Sequence, residues 1–325
     1  MIYSWKNAGG LGNRIGSIYT GFYFSQISNI PFTVLWTPNK GCGANWSDIF
    51  KKPIHFNIIE NINIAHIISF ETADKYLKLI KMDDSKINKS VEHLYDINNN
   101  NNTNVNVSVN KDNIWIVHCP DDFKNIYGCK NVYNIRKMTK KEIVNIINKN
   151  RTKNIFISED NCINFYDKKI FDLFFDNIKI KDEILNIAND FCLKNNINNT
   201  NCNGIHMRYT DNPNQSMSLP DICNYINSVD SKFFICSDSN EAEDYVKKNI
   251  HTENKLFFYD KDENCEKADE TLGWNDRIIT NEYNICRNSK AVINAMIDLS
   301  ILKKMKSIKS TRPNSSFLFL IKNIR

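Results

Sequence analysis

The chain has 325 residues, 42% hydrophobic and 24% charged, and its 42 Lys and Arg against 37 Asp and Glu leave a formal charge of +5. That composition excludes a disordered or fibrous chain, and so small an excess, spread over the whole length without a basic arm, does not call for nucleic acid as a partner. It suits plain solubility or an anionic small molecule. The length suggests two domains. No stretch approaches the roughly 18 apolar residues of a membrane span. The start, Met1-Ile2-Tyr3-Ser4-Trp5, shows no basic and apolar signal region, so the expected location is the cytoplasm, where the ten scattered cysteines stay reduced.

Residues 2–5 read as a short strand. The turn Gly9-Gly10-Leu11-Gly12-Asn13-Arg14 follows, and Ile15, Ile18, Tyr19, Phe22 and Tyr23 then recur at helical spacing. Residues 32–36 form a second strand, completing a βαβ unit whose strands are expected to be parallel. The Asn-rich residues 98–110 read as a polar loop, 114–117 as a buried strand, 140–149 as an amphipathic helix and 181–194 as a helix leading out of the first domain. The Asn-dominated residues 195–203 mark the domain boundary, giving domains 1–195 and 196–325. Beyond it, strands at 204–207, 233–236, 256–259 and 307–310 alternate with helices at 219–226, 240–248, 290–304 and 315–321. The fold class is α/β, with two Rossmann-like domains facing across a cleft.

The glycine turn joins a strand to a helix, where backbone N–H groups of Gly10, Gly12 and their neighbours Asn13 and Arg14 can cradle a phosphate. It reads equally as a tight structural turn, and it is neither a dinucleotide fingerprint nor a Walker loop. His206-Met207-Arg208 ends the first strand of the second domain, the edge at which open α/β sheets bind ligands. The Arg208 guanidinium can hold a pyrophosphate bidentately as it departs, His206 can add a hydrogen bond, and Asp211 can orient either residue or an acceptor hydroxyl. An exposed strand end paired with carboxylates is the plainer alternative. Ser237-Asp238-Ser239 lies on the same edge, where a helix cap explains the serines as well as a ligand does. Asp298 sits in an apolar helix and is either buried against a donor, such as the edge of a guanine, or on a solvated face. Ser315, Ser316 and Phe317 open the last helix and offer a second anion site.

In this order these residues resemble the superfamily of α-1,6-, protein O- and nodulation-type fucosyltransferases: the glycine turn, a His-x-Arg at 206–208, the segment from Phe234 to Ser239 with Glu241, and Asp298 followed by Ser315-Ser316-Phe317. The resemblance implies a GT-B-like fold and an inverting, metal-independent transferase that moves fucose from GDP-fucose to a glycan or other hydroxyl acceptor, with no further cofactor. It places Arg208 on the β-phosphate, His206 and Asp298 on the guanosine, Ser315, Ser316 and Phe317 around phosphate and base, and Asn13 beside the pyrophosphate. The first domain becomes the acceptor side. Tyr209 stands where the α-1,6 enzymes have a second Arg, and Asp211 stands in for a base absent from its usual place. The non-enzymatic alternative is a degenerate relative that binds a sugar nucleotide or glycan without turning it over.

Overall fold

A computed structural model of the chain describes residues 1–5, 10–38, 41–60, 113–117, 130–158, 165–210, 216–250, 255–274, 277–279 and 282–324. The first half runs β1 (Ile2–Trp5), α1 (Leu11–Ser28), β2 (Phe32–Trp36), the single turn α2 (Trp46–Ile49), β3 (Asn57–Glu60), β4 (Ile114–Val117), β5 (Asn131–Asn134), α3 (Lys140–Lys149), β6 (Ile155–Ser158) and α4 (Lys168–Asn177). The second half runs α5 (Asp182–Lys194), β7 (Cys202–Met207), α6 (Leu219–Ser228), β8 (Lys232–Ser237), α7 (Asn240–Asn249), β9 (Leu256–Phe257), β10 (Arg277–Ile279), β11 (Glu282–Tyr283), α8 (Ser289–Leu302), β12 (Ile308–Ser310) and α9 (Ser316–Asn323). The chain falls into two compact units, one of Met1–Asn7, Asn13–Pro38 and Lys52–Asn177, the other of Ala8–Gly12, Asn39–Lys51 and Ile178–Arg325.

In the first unit six of the described strands form one sheet in the order β3-β2-β1-β6-β4-β5, every pairing parallel. The strands β2, β4 and β6, apolar but for Thr33 and Ser158, are buried along their whole length, as parallel strands covered on both faces are. Helix α1 buries nearly all of its surface, and its Phe22 ring meets Phe32, Phe56 and Phe174 at 6.0, 5.7 and 5.5 Å. Such pairs each contribute about 0.5–1.5 kcal/mol beyond their buried area. Gly21 lets this helix lie against the sheet, because a Cβ there would stand 2.6 Å from the Phe32 ring and 3.2 Å from Ser4 Cβ.

The second unit carries a parallel sheet in the order β12-β7-β8-β9. On one face Ile205, Met207, Phe233 and Ile235 pack on Ile222 and Ile226 of α6 and on Ala242 and Val246 of α7. The opposite face carries α8, with α5 and α9 each packed on it. Helix starts are well capped: Ser218 and Asp221 form a capping box at α6, while Ser239, Asn288 and Ser315 accept the free amides of α7, α8 and α9. Three differences from the sequence reading have physical causes. Helix α5 belongs to the second unit because its apolar face packs on α8, so the break falls at Asn177/Ile178 rather than after residue 195. Cys202 and Asn203 already pair in β7 rather than in a linker. The expected strand at 256–259 pairs only over Leu256–Phe257. The polar loop read at 98–110 lies outside the described residues. Among the described residues no helix is long and apolar enough to cross a membrane.

Gly21→Ala is expected to cost about 1–3 kcal/mol, since the Phe32 ring beside it is itself wedged between Phe22 and Phe56 and has no room to retreat. Urea unfolding would show it as a lower midpoint; a midpoint equal to that of the parent chain would contradict this packing.

Candidate functional site

The strand order of the second sheet reverses at β7. From there the chain lays β8 and β9 to one side and returns with β12 on the other, so the carboxyl ends of β7 and β12 flank a topological switch point, where open α/β sheets leave a crevice for ligands. His206 stands in register between Ser310 of β12 and Cys236 of β8.

The His206 ring is buried, its Nδ1 2.9 Å from Ser310 Oγ, and it stacks on Phe317 with centroids 4.6 Å apart and planes 18° from parallel. Burial pushes its pKa down to about 4 against the pull of Asp238, so the imidazole is neutral near pH 7. Just past the strand, the Arg208 amide donates to Thr311 Oγ1 at 2.9 Å, the Tyr209 amide to Asp238 Oδ1 at 2.7 Å and Thr210 Oγ1 to Asp238 Oδ2 at 2.7 Å. The exit of β7 is thus pinned from both sides, and the Arg208 side chain is half-buried at that edge.

Ser237 and Asp238, expected as ligand contacts, are engaged by the protein itself. The Ser237 amide donates to Glu243 Oε1 at 2.9 Å, its hydroxyl accepts from the Ser239 amide at 3.1 Å, and Asp238 holds residues 209 and 210. Ser239 caps α7, so the capping alternative accounts for this loop. At α9, Ser315 caps the helix through the Leu318 amide at 3.1 Å, leaving the first amides of Ser316 and Phe317 at the positive helix end. Gly12 touches this same helix start: a Cβ there would stand 2.5 Å from Ser316 Cβ and 2.9 Å from the Ser316 carbonyl oxygen. Gly12, itself part of the second unit, therefore serves close approach to the start of α9, and Gly10 stands two residues before it.

Asp298 is buried, which settles its two readings, and its donor is one the sequence analysis missed. Lys261, 5% exposed, places Nζ 3.0 Å from Asp298 Oδ2, 2.6 Å from Glu243 Oε1 and 2.9 Å from the Ser237 carbonyl. Burial works against the ammonium, but Asp298 and Glu243 outweigh it and raise its pKa. Asp298 Oδ1 is buried with no hydrogen-bond partner among the described residues. Burial pushes the Asp298 carboxyl up to about 7, with Lys261 pulling it down and Glu243 adding to the rise. Lys261 lies in an exposed-looking run, Asp260-Lys261-Asp262-Glu263, and only its place two residues past the apolar pair Phe257-Phe258 and Tyr259 hints at burial.

Asn13 and Arg14 belong to the first unit. Arg14 is buried, its guanidinium donating to the Thr37 carbonyl at 2.6 Å and lying 5.0 Å over the Trp36 ring, so its position is explained by holding the end of β2. Asp211 lies outside the described residues. The second unit therefore gathers His206, Arg208, Asp298, Ser315, Ser316, Phe317 and Gly12 around one sheet edge.

No protein-family model matches the sequence, and no curated protein matches it. Solved structures do match the fold. One is NodZ alpha-1,6-fucosyltransferase co-crystallized with GDP, over 99% of this chain and 92% of that one, at a TM-score of 0.52 and 13% identity. Fucosyltransferase NodZ from Bradyrhizobium matches at a TM-score of 0.50 and 13% identity, with the same coverage of 99% and 92%. POFUT1 in complex with GDP-fucose matches at 0.50 and 10% identity, over 99% of this chain and 93% of that one. The two Rossmann-like units are those of the GT-B fold of these fucosyltransferases.

Because the His206 pKa falls from 6.5 to about 4 on folding, the unfolded chain takes up a proton in that window that the folded chain refuses. Stability is expected to drop by on the order of 3 kcal/mol as pH falls from about 6.5 to about 4. Urea unfolding across that range should show the drop, reduced in His206→Gln; a profile identical in the two chains would contradict a buried neutral ring.

Proposed function

We propose that the second unit binds the GDP portion of GDP-fucose at the β7/β12 switch point, and that the chain transfers the fucose to a hydroxyl acceptor with inversion. The observation that carries this reading is the buried, unpartnered Oδ1 of Asp298 on the face where His206 stacks on Phe317. A buried carboxylate oxygen without a donor is costly, and the paired N1–H and N2–H donors of a guanine edge answer it. The Phe317 ring, half-buried and stacked on His206, is the platform for the base. Arg208 and the first amides of α9 meet the diphosphate.

In the reaction an acceptor oxygen forms a bond to the anomeric carbon as the bond from that carbon to the β-phosphate oxygen breaks, and GDP leaves with the electron pair. The arriving negative charge falls to Arg208, whose exit from β7 is held rigid by Thr311 and Asp238, so little reorganisation is needed. Neutral His206 adds a hydrogen bond without competing for the phosphate. The acceptor proton goes to a base, for which Asp211 remains the candidate. The solved structures of similar fold that hold GDP or GDP-fucose support the choice of donor.

Two outcomes are expected. Arg208→Ala lowers turnover of GDP-fucose by about 100- to 1,000-fold, read as GDP release, with unchanged circular dichroism and thermal midpoint; parent-like turnover in a folded variant sinks the assignment. Guanine donors favour ionised Asp298, so GDP affinity falls as pH drops below about 7. Asp298→Asn retains only the pH dependence of the phosphates themselves, and equal profiles for the two chains would remove Asp298 from the base site.

A further inference from the structure

Oδ1 of Asp298 has no hydrogen-bond partner among the described residues, while its other oxygen is held by Lys261. Lys261 reaches from the loop after β9, and its ammonium meets Asp298 Oδ2 on α8, Glu243 Oε1 on α7 and the Ser237 carbonyl at the end of β8. Three elements of the sheet edge are thereby tied to one buried nitrogen. The same loop is fixed at its far side, where Asn264 donates to the Ser237 carbonyl at 3.3 Å and to Asn240 Oδ1 at 3.0 Å, and Asn294 donates to Asp262 and to the Glu263 carbonyl. Glu243 is fixed in turn by the Ser237 amide, so the ammonium has a rigid counter-anion and does not need both oxygens of Asp298.

We propose that Lys261 is a positioning residue for base recognition: by engaging a single oxygen of Asp298 while Glu243 satisfies the rest of its charge, it leaves the second oxygen, buried and without a protein partner among the described residues, to the paired N–H donors of a guanine. The inference rests on the GDP-binding reading above and adds the residue that sets base specificity. A lysine is suited to this where an arginine is not, because an ammonium makes point contacts while a guanidinium fork takes both oxygens of a carboxylate. Without the ammonium, Asp298 is left in an apolar helix facing Glu243, and it would take up a proton and lose the acceptor that reads the exocyclic amine.

The test is titration calorimetry of the full chain with GDP and with inosine diphosphate, which lacks the exocyclic amine, alongside ADP. The parent chain is expected to prefer GDP over inosine diphosphate by about tenfold or more, the worth of one hydrogen bond to a charged acceptor. In Lys261→Met that preference collapses toward unity while ADP affinity stays within about twofold, the range left by loss of no direct contact. Lys261→Arg keeps the buried charge and so guards against a failure to fold, and its fork is expected to lower the preference as well. A folded Lys261→Met or, failing that, a folded Lys261→Arg that keeps the parent preference overturns the inference and leaves the GDP reading standing. Equal weakening toward all three nucleotides also overturns it, as a merely structural role. A parent chain that does not prefer GDP over ADP overturns the donor reading, and this inference with it.

Discussion

A single ammonium buried between two carboxylates organises the edge of the second unit's sheet where β8 ends. Lys261 joins α7, α8 and the end of β8, none of which is adjacent to it in sequence. A buried ion cluster of this kind is poor evidence of added stability, because the desolvation of three charges offsets much of their attraction. Its value is geometric. Removing the ammonium leaves two carboxylates facing each other without a counter-charge, and with it in place the carboxylate of Asp298 is held with one oxygen engaged and one not.

The rest of the site follows from topology and from helix starts. Sheet order puts the ends of β7 and β12 at a switch point, and the register places Ser310, His206 and Cys236 side by side across three strands. Helix α9 begins near this edge, and within the second unit Gly12 lies close against Ser316 at its start. Positive helix ends attract an anion, and the neutral imidazole of His206 beside Phe317 supplies a flat surface without adding charge. Asp238 and Thr311 hold the chain around Arg208, which gives the half-buried residue past the strand end a fixed base.

Much of this was legible from residue pattern. The opening βαβ unit, the helix Lys140–Lys149 and the alternation beyond residue 204 show strong periods, and the structure has those elements. His206 and Arg208 could be placed at a strand's end because Gly204 to Met207 is a clear strand. Strands β3, β5 and β6 and helix α4 were not read, since four-residue runs such as Ile155–Ser158 are set by pairing with distant neighbours rather than by local sequence. Arg14 and Asp238 are alike in the sequence, each a polar side chain beside a turn. Such a side chain looks the same in sequence whether it faces a ligand or holds the chain, and here Arg14 donates to the Thr37 carbonyl while Asp238 accepts from the Tyr209 amide and the Thr210 hydroxyl. Lys261 was illegible because its charged neighbours are those of a solvated loop, and only α8 and α7 folding over it bring Asp298 and Glu243 into reach.

The central claim is that the sheet edge around His206, Phe317 and Asp298 is shaped for a guanine nucleotide. A crystal structure of the chain with GDP tests it most directly. The account predicts the base lying on Phe317, its N1 and N2 each about 3 Å from Asp298, and the diphosphate at Arg208 and the first amides of α9. Nucleotide found elsewhere on the chain, or bound with its base turned away from Asp298, would contradict it.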